Sequence, residues 1–181
     1  MSIEIERKFL INGPELELWK KLKRDLSSSG LSHIQPFKIE QGYLTNPTDP
    51  FAIRIRKMEG PSIFYHNSNK ITYILCIKKS ISDTCRHEIE TEISKDDGEF
   101  LLNNALAKVM KDRYKYTVDR VTWEIDEFYG NNAGLVLAEV ELKSENQNIV
   151  YPHFINPQKE VTQKPEYLNQ HLAFHSWDTW G

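Results

Sequence analysis

Two glutamates and a lysine alternate with apolar residues near the start of the chain, in the order Glu4, Glu6 and Lys8. Side chains of a β-strand return to the same face at every second residue, so these groups would lie about 6.5–7 Å apart on one face. Two carboxylates at that separation can converge on one hard cation at about 2.0–2.1 Å from their oxygens. Lys8 could then neutralise an anion that the cation carries. Taken alone, the pattern also fits the solvated face of a half-buried strand.

Paired charges at alternate positions recur in later predicted strands. They are Arg54/Arg56, Arg86/Glu88/Glu90, Lys111/Arg113 and Glu139/Glu141. A polyanion needs several cations along its length, and the forked guanidinium group matches phosphate oxygens. Carboxylates beside a phosphate chain would repel it unless a divalent cation lay between them. Mg²⁺ or Mn²⁺ held by the glutamate pairs of the first and last predicted strands would join the two kinds of group and could organise attack of water on phosphorus.

Composition limits the other function classes. A chain of 181 residues fits one domain, which we place at 1–181, and 39% hydrophobic residues can form a real core. The net charge of −3 provides no global attraction to nucleic acid or to acidic membranes. We find no signal-peptide pattern and no run of about 20 apolar residues. Cys76 and Cys85 lack the spacing of a zinc ribbon. We therefore expect a cytoplasmic protein with neither a membrane nor a nucleic-acid partner.

Hydrophobic periodicity predicts eight strands and three helices. The strands are predicted at 2–11, 37–44, 51–56, 71–78, 85–93, 109–117, 121–128 and 134–143, with a polar connection from Gly60 to Asn69. One amphipathic helix is predicted from about Glu15 to Ser28, and a second follows Ser94 as N-cap. A short terminal helix at about 165–174 precedes a tail at 175–181.

Short turns between these strands, without a βαβ rhythm, indicate an antiparallel sheet. Eight such strands tend to close into a barrel because closure removes exposed edges. The barrel could be apolar inside and charged outside, or it could have a charged lumen and an apolar outer wall. The amphipathic helices favour the second arrangement, since they need an apolar surface to cover. We predict an α+β, mainly β fold: a closed eight-stranded antiparallel β-barrel with helices packed on the outside.

The chain resembles the CYTH domains, also called triphosphate tunnel metalloenzymes. The resemblance begins at the ExExK pattern within IEIERKFLI and continues in family order over nearly the whole chain. The further matching stretches are QGYL at 41–44, IRIR at 53–56, CIK at 76–78, RHEIE at 86–90, KDRY at 111–114, WEIDEF at 123–128, GLVLAEVEL at 134–142, EVT at 160–162, Tyr167-x-Asn169 and Leu172-Ala173. The closed tunnel of that family agrees with the barrel predicted above.

The resemblance implies a role for each charged face. The residues implied in triphosphate binding are Lys8, Arg54, Arg56, Lys78, Arg86, Lys111 and Arg113. Those implied in holding the metal are Glu4, Glu6, Glu139 and Glu141. Glu88, Glu90 and Asp126 are implied to assist, either through water or by contacting the residues that bind the metal. Tyr43 and Lys78 match a proposed catalytic dyad, and Lys111 is another candidate for handling the attacking water. Since neighbouring carboxylates should raise the pKa of a lysine, we favour water activated by the metal.

The leading hypothesis is a metal-dependent hydrolase that splits inorganic triphosphate into pyrophosphate and phosphate. The alternatives are a thiamine triphosphatase or nucleoside triphosphatase, a class IV adenylate cyclase, and a module that binds polyphosphate or a triphosphate without turnover. No nucleobase-reading motif supports cyclisation, and the complete set of charges argues against a binder without activity. We expect a small-molecule triphosphate as substrate and a monomer or homodimer as the working form.

Overall fold

A computed structural model describes residues 2–28, 35–61, 69–81, 85–144 and 146–180 of the chain. Within this part, the side chains of residues 2–4, 27–28, 69, 85 and 86 are not described. The strands are β1 (Ser2–Leu10), β2 (Phe37–Tyr43), β3 (Ala52–Pro61), β4 (Asn69–Ser80), β5 (Cys85–Ile93), β6 (Ala107–Val118), β7 (Val121–Phe128) and β8 (Val136–Leu142). The helices are α1 (Pro14–Ser28), α2 (Lys95–Asn103) and α3 (Asn169–Phe174).

The eight strands form a closed antiparallel barrel in the order β1-β5-β4-β3-β2-β6-β7-β8. Closure depends on β1, which pairs with β5 on one side and with β8 on the other. The predicted fold is therefore confirmed. The β1–β8 register sets Glu6 opposite Glu141 and Lys8 opposite Glu139. Because directly opposite residues of an antiparallel pair share one face, the charged positions of both strands point the same way.

The predicted connection between Gly60 and Asn69 is shorter than the sequence indicated. Strand β3 continues to Pro61, and β4 already begins at Asn69, where the two residues pair. Gly60 permits this extension, because a Cβ atom at its position would lie 2.0 Å from the ring of Phe37. Glycine thus lets β2 and β3 pack closely where a larger residue could not. Residues 62–68 lie outside the described part.

Helices α1 and α2 cover the apolar outer wall of the barrel. Trp19 of α1 is fully buried, stands 5.5 Å from the ring of Tyr114 and donates Nε1–H to Glu127 at 2.6 Å. Helix α2 begins after Ser94, whose hydroxyl accepts from the backbone N–H of Asp97 at 3.1 Å, as predicted. In the described part of the chain, no helix has both the length and the apolar character needed to cross a membrane.

Helix α3 lies at one end of the tunnel instead of on the outer wall. The segment that precedes α3 is held along β1. There Val161 donates its N–H to the carbonyl of Lys8 at 2.8 Å, and Arg7 pairs with Glu160 at 2.5 Å. Leu172 of α3 is fully buried and packs with Val109 and other residues that share the inward parity of the charged positions. The predicted helix at 165–174 is divided accordingly into a 3₁₀ turn, Pro165–Tyr167, and α3.

Candidate active site

The barrel contains two spaces lined by several of the predicted charged residues. The larger one, of about 660 Å³, is lined by Arg54, Arg56 and Arg113 together with several glutamates. The smaller one, of about 430 Å³, is lined by Lys8 and by residues next to the start of α3. Glu6 lines both spaces, so it stands between them. Glu4 and Arg86 are opposite one another in the β1–β5 register, but the side chains of both lie outside the described part.

The strands β6, β7, β8 and β1 contribute what we call the acidic wall. It contains the cations Lys8, Lys111 and Arg113 and the carboxylates Glu6, Glu124, Asp126, Glu139 and Glu141. Arg113 is its centre: it binds both oxygens of Asp126 at 2.6 and 2.7 Å and donates to Glu139 at 2.6 Å. Asp126 is fully buried, and Glu139 is 5% exposed. Carboxylates therefore outnumber cations in a largely buried network.

Charges of the acidic wall shift one another's protonation. Burial favours the neutral form of Glu139, but Lys8, Lys111 and Arg113 outweigh it and hold the pKa of this carboxyl well below its usual range. Lys111 shows the opposite balance: its burial and the nearby Arg113 lower the pKa of its ammonium to about 8, despite the attraction of Asp126. The expectation that carboxylates would dominate the pKa of a tunnel lysine is not met here. Burial is the stronger influence on a side chain that is 1% exposed.

The strands β3, β4 and β5 contribute what we call the basic wall, which contains Arg54, Arg56, Lys78, Glu88 and Glu90. Its ion pairs are longer than those of Arg113: Arg54 lies 3.4 Å from Glu90, Arg56 3.1 Å from Glu90 and Lys78 3.0 Å from Glu88.

One donor of the basic wall has no internal acceptor. Among the described residues, the buried Nε–H of Arg54 has no hydrogen-bond partner. Leaving a buried donor unsatisfied is costly. An anion in the tunnel would supply the missing acceptor.

Cys76 lies in the same wall, two residues before Lys78 and therefore on the same face of β4. It is fully buried and donates its thiol hydrogen to Glu88 at 3.1 Å. Within the described part, Cys76, Glu88 and Glu90 are the group whose potential metal ligands lie within 4.8 Å of one another. Burial, with help from Glu88, raises the pKa of the thiol to about 12. Because a metal binds the thiolate, the protonated Cys76 is a hydrogen-bond donor of the wall and a poor metal ligand.

The acidic wall offers a better set of ligands for a hard cation. Glu6, Glu124, Glu139 and Glu141 all line the larger space. The register sets Glu6 opposite Glu141 and Glu124 opposite Glu139. Like charges directly opposite on one sheet face destabilise it unless a cation lies between them. Carboxylate oxygens are the ligands that Mg²⁺ and Mn²⁺ prefer, so this donor set fits such an ion.

The three candidate catalytic residues differ in their surroundings. Tyr43 is buried, its hydroxyl accepts from the side-chain amide of Gln41 at 2.5 Å, and burial raises its pKa. Lys78, with which it was expected to form a dyad, lines the same smaller space and is paired with Glu88. Lys111 is held between Asp126 and the side-chain oxygen of Asn169, the latter at 3.1 Å.

Several residues at the site were missed by the sequence analysis. Glu124 accepts from Arg113 and lines the larger space; its parity with Asp126 was the signal that could have identified it. Arg120 also lines that space, from a turn where Asp119 and Arg120 adopt left-handed φ angles of 48° and 63°. Strand parity cannot assign the direction of a turn residue. Asn169 was noted in the resemblance but was given no role.

Comparison with known proteins gives consistent matches. A family model described as "CYTH domain" matches residues 2–164. The chain is 32% identical over 175 residues to an inorganic triphosphatase of Acetivibrio thermocellus, covering 96% of this chain and 94% of the relative. It is 33% identical over 175 residues to an inorganic triphosphatase of Nitrosomonas europaea, covering 94% and 96%. A crystal structure of an inorganic triphosphatase superposes with a TM-score of 0.56 at 28% identity, covering 96% and 95%.

Proposed function

The chain belongs to the CYTH domain family, and on that premise we propose that it hydrolyses inorganic triphosphate to pyrophosphate and phosphate, using Mg²⁺ or Mn²⁺. Two relatives that align with almost the whole chain are inorganic triphosphatases, and triphosphatases of this family depend on metal ions. The observation that carries the proposal is the division of one tunnel into a basic wall and an acidic wall. A triphosphate and a metal ion are complementary to these two surfaces.

The basic wall would hold the phosphate chain. Arg54 and Arg56 present guanidinium groups to the larger space, and Lys78 faces the smaller one. Among the described residues, the Nε–H of Arg54 is a buried donor that has no hydrogen-bond partner. Phosphate oxygens would replace Glu88 and Glu90 as partners of these cations, because charge-assisted bonds to guanidinium groups are strong. We also assign Arg86 to this set from its family position.

The acidic wall would supply most of the metal ligands. The residues proposed for this are Glu6, Glu139 and Glu141 of that wall and Glu4 of β1, with Asp126 and, from the basic wall, Glu88 and Glu90 in supporting contacts. When bound, the ion supplies charge neutralisation for the phosphates and lowers the pKa of water. Lys8 and Arg113 would remain paired with Glu139 and would orient it. Lys8, on the same face of β1 as Glu6, would also reach a phosphate from this side.

In the reaction, water attacks the terminal phosphorus while the bond from that phosphorus to its bridging oxygen breaks, releasing pyrophosphate. Placement and neutralisation supply most of the catalysis in phosphoryl transfer. Of the three candidates, Lys111 has the lowered pKa and can stabilise charge or exchange a proton near neutral pH. The raised pKa of Tyr43 suits a hydrogen-bond donor to a phosphate oxygen. Lys78, paired with Glu88, acts as a cation.

The test is turnover of defined substrates by the purified chain. Tripolyphosphate, ATP and thiamine triphosphate are incubated separately with Mg²⁺ or Mn²⁺, and the products are identified by ³¹P NMR and chromatography, with EDTA as control. We expect tripolyphosphate to give equal amounts of pyrophosphate and phosphate at the highest kcat/KM. Cyclic AMP from ATP would support a cyclase instead. Binding of tripolyphosphate without any turnover would support a binding module.

Light scattering of the same sample tests whether the active form is a monomer or a homodimer, the two forms that we propose.

A further inference from the structure

Asn169 connects the C-terminal helix with the interior of the tunnel. It is the first residue of α3, and its side-chain oxygen accepts from Lys111 Nζ at 3.1 Å. It also lines the smaller of the two spaces. The family match ends at residue 164, so this contact comes from a part of the chain beyond the matched range.

The contact gives Lys111 a second acceptor in addition to Asp126 of the neighbouring strand. Lys111 donates to Asp126 of β7 and to Asn169 of α3. An ammonium group has three N–H donors, and Nζ of Lys111 also lies 5.3 Å from the centroid of the Phe128 ring. Two fixed acceptors and this ring restrict the orientation of the ammonium. Because Asn169 lines the smaller space, the Lys111 ammonium is held beside that space, where a phosphate or a developing charge could be met without prior reorientation.

Helix α3 is held in place by contacts that do not involve Lys111. Leu172 is fully buried, and its carbonyl accepts from Asn132 Nδ2 at 3.1 Å. Asn132 in turn accepts from the backbone N–H of Trp177 at 2.7 Å. Gln170 donates to the carbonyl of Thr45 at 3.1 Å. Because these anchors position α3 independently, Asn169 presents a fixed acceptor to which Lys111 adjusts.

We propose that Asn169 is a positioning residue of the triphosphatase site, which orients the Lys111 ammonium toward the bound phosphate from the C-terminal helix. The proposal rests on the function proposed above. It assigns to α3 a direct part in forming the site, in addition to closing one end of the tunnel. Asn169 itself need not touch the substrate.

The first experiment compares Asn169→Leu with Asn104→Leu, the same substitution at the end of α2, where the exposed side-chain amide donates to the carbonyl of Phe100 at 2.7 Å. With tripolyphosphate, Asn169→Leu should lower kcat/KM by about 10- to 100-fold, since a hydrogen bond to a charged group is lost. Asn104→Leu should remain within about twofold of the unchanged protein, because the Lys111 contact and the anchors of α3 are intact. Thermal unfolding should be similar for both variants. Asn169→Ala serves as a second variant if the leucine disturbs folding.

The second experiment tests whether the effect passes through Lys111. Asn169→Leu is measured again in a Lys111→Met background, where it should change kcat/KM by less than about twofold. If the Lys111→Met enzyme turns over too slowly, the same cycle is measured on the Kd of tripolyphosphate by calorimetry. Equal losses in both backgrounds, or equal losses for Asn169→Leu and Asn104→Leu, would overturn the proposal. The function itself fails separately, if the unchanged chain hydrolyses no triphosphate.

Discussion

The acidic and basic walls face one tunnel but are built differently. In the acidic wall, Arg113 has partners at 2.6–2.7 Å, and Asp126 has no exposed surface. In the basic wall, Arg54 and Arg56 share Glu90 at 3.4 and 3.1 Å, and that glutamate side chain is 38% exposed. One wall is a closed network of short bonds. The other is a looser group in which largely buried cations share longer ion pairs with a partly exposed glutamate.

This difference separates two requirements of phosphate chemistry. Groups that hold a metal must be in place before the reaction, and a buried network with several bonds per residue fixes them. Groups that receive a polyanion must exchange their internal carboxylate partners for phosphate oxygens. This exchange is easier when the ion pairs to those carboxylates are long and the carboxylates are partly solvated. We infer that substrate binding rearranges the basic wall and leaves the acidic wall largely unchanged.

The largest effect is expected from neutralising a carboxylate of the acidic wall. Glu6→Gln keeps the shape of the side chain but removes a charge from the proposed metal ligands. We expect kcat/KM to fall by about a thousandfold, since a metal ion contributes several kcal/mol of charge stabilisation. The matched variant Glu90→Gln in the basic wall should lose no more than about tenfold. Steady-state kinetics over a range of Mg²⁺ concentrations measures both. Equal losses would mean that the two walls share the metal.

The next effect concerns stability. Arg113→Met leaves Asp126 and Glu139 buried with fewer partners, and breaking such a network costs about 3 kcal/mol or more. Arg56→Met should lower the free energy of unfolding by about 1 kcal/mol or less. Burial and the neighbouring Arg54 lower the pKa of Arg56, which means that its charged form is already disfavoured in the folded protein. Urea unfolding of the two variants gives the comparison. A greater loss for Arg56→Met would show that the basic wall is the rigid one.

Strand parity predicted most of the barrel and the inward direction of the charges. Alternation placed Glu6 with Lys8 and Arg54 with Arg56 correctly, because a strand has only two faces. Parity could not predict that Lys111 would have a lowered pKa, since burial depends on packing by the distant α3. The bond from Asn169 to Lys111 joins residues 58 positions apart and requires the tertiary structure. The extension of β3 through Gly60 was missed because glycine and proline are typical of turns.

A smaller, selective effect is expected from Arg54→Ala. This variant removes a cation of the looser wall and the buried Nε–H that awaits an acceptor. We expect KM for tripolyphosphate to rise about tenfold or more while kcat falls less, because the arginine binds the phosphate chain before and during the reaction. Initial-rate measurements separate the two parameters. An unchanged KM with a large fall in kcat would place Arg54 among the groups that act on the transition state.

The smallest effect is expected at Cys76, which lies between the cations of the basic wall. Because burial raises the pKa of its thiol to about 12, the thiolate population at pH 8 should be about a thousandfold below that of a thiol with the ordinary pKa of 9.0. Iodoacetamide should therefore leave Cys76 unmodified in the folded protein and label it after unfolding in guanidinium, as peptide mass mapping would show. Cys76→Ala should change kcat/KM by less than about threefold, since only one thiol bond to Glu88 is lost. Rapid labelling of folded Cys76, protected by tripolyphosphate, would instead show that the basic wall opens far enough to expose its interior before substrate binds.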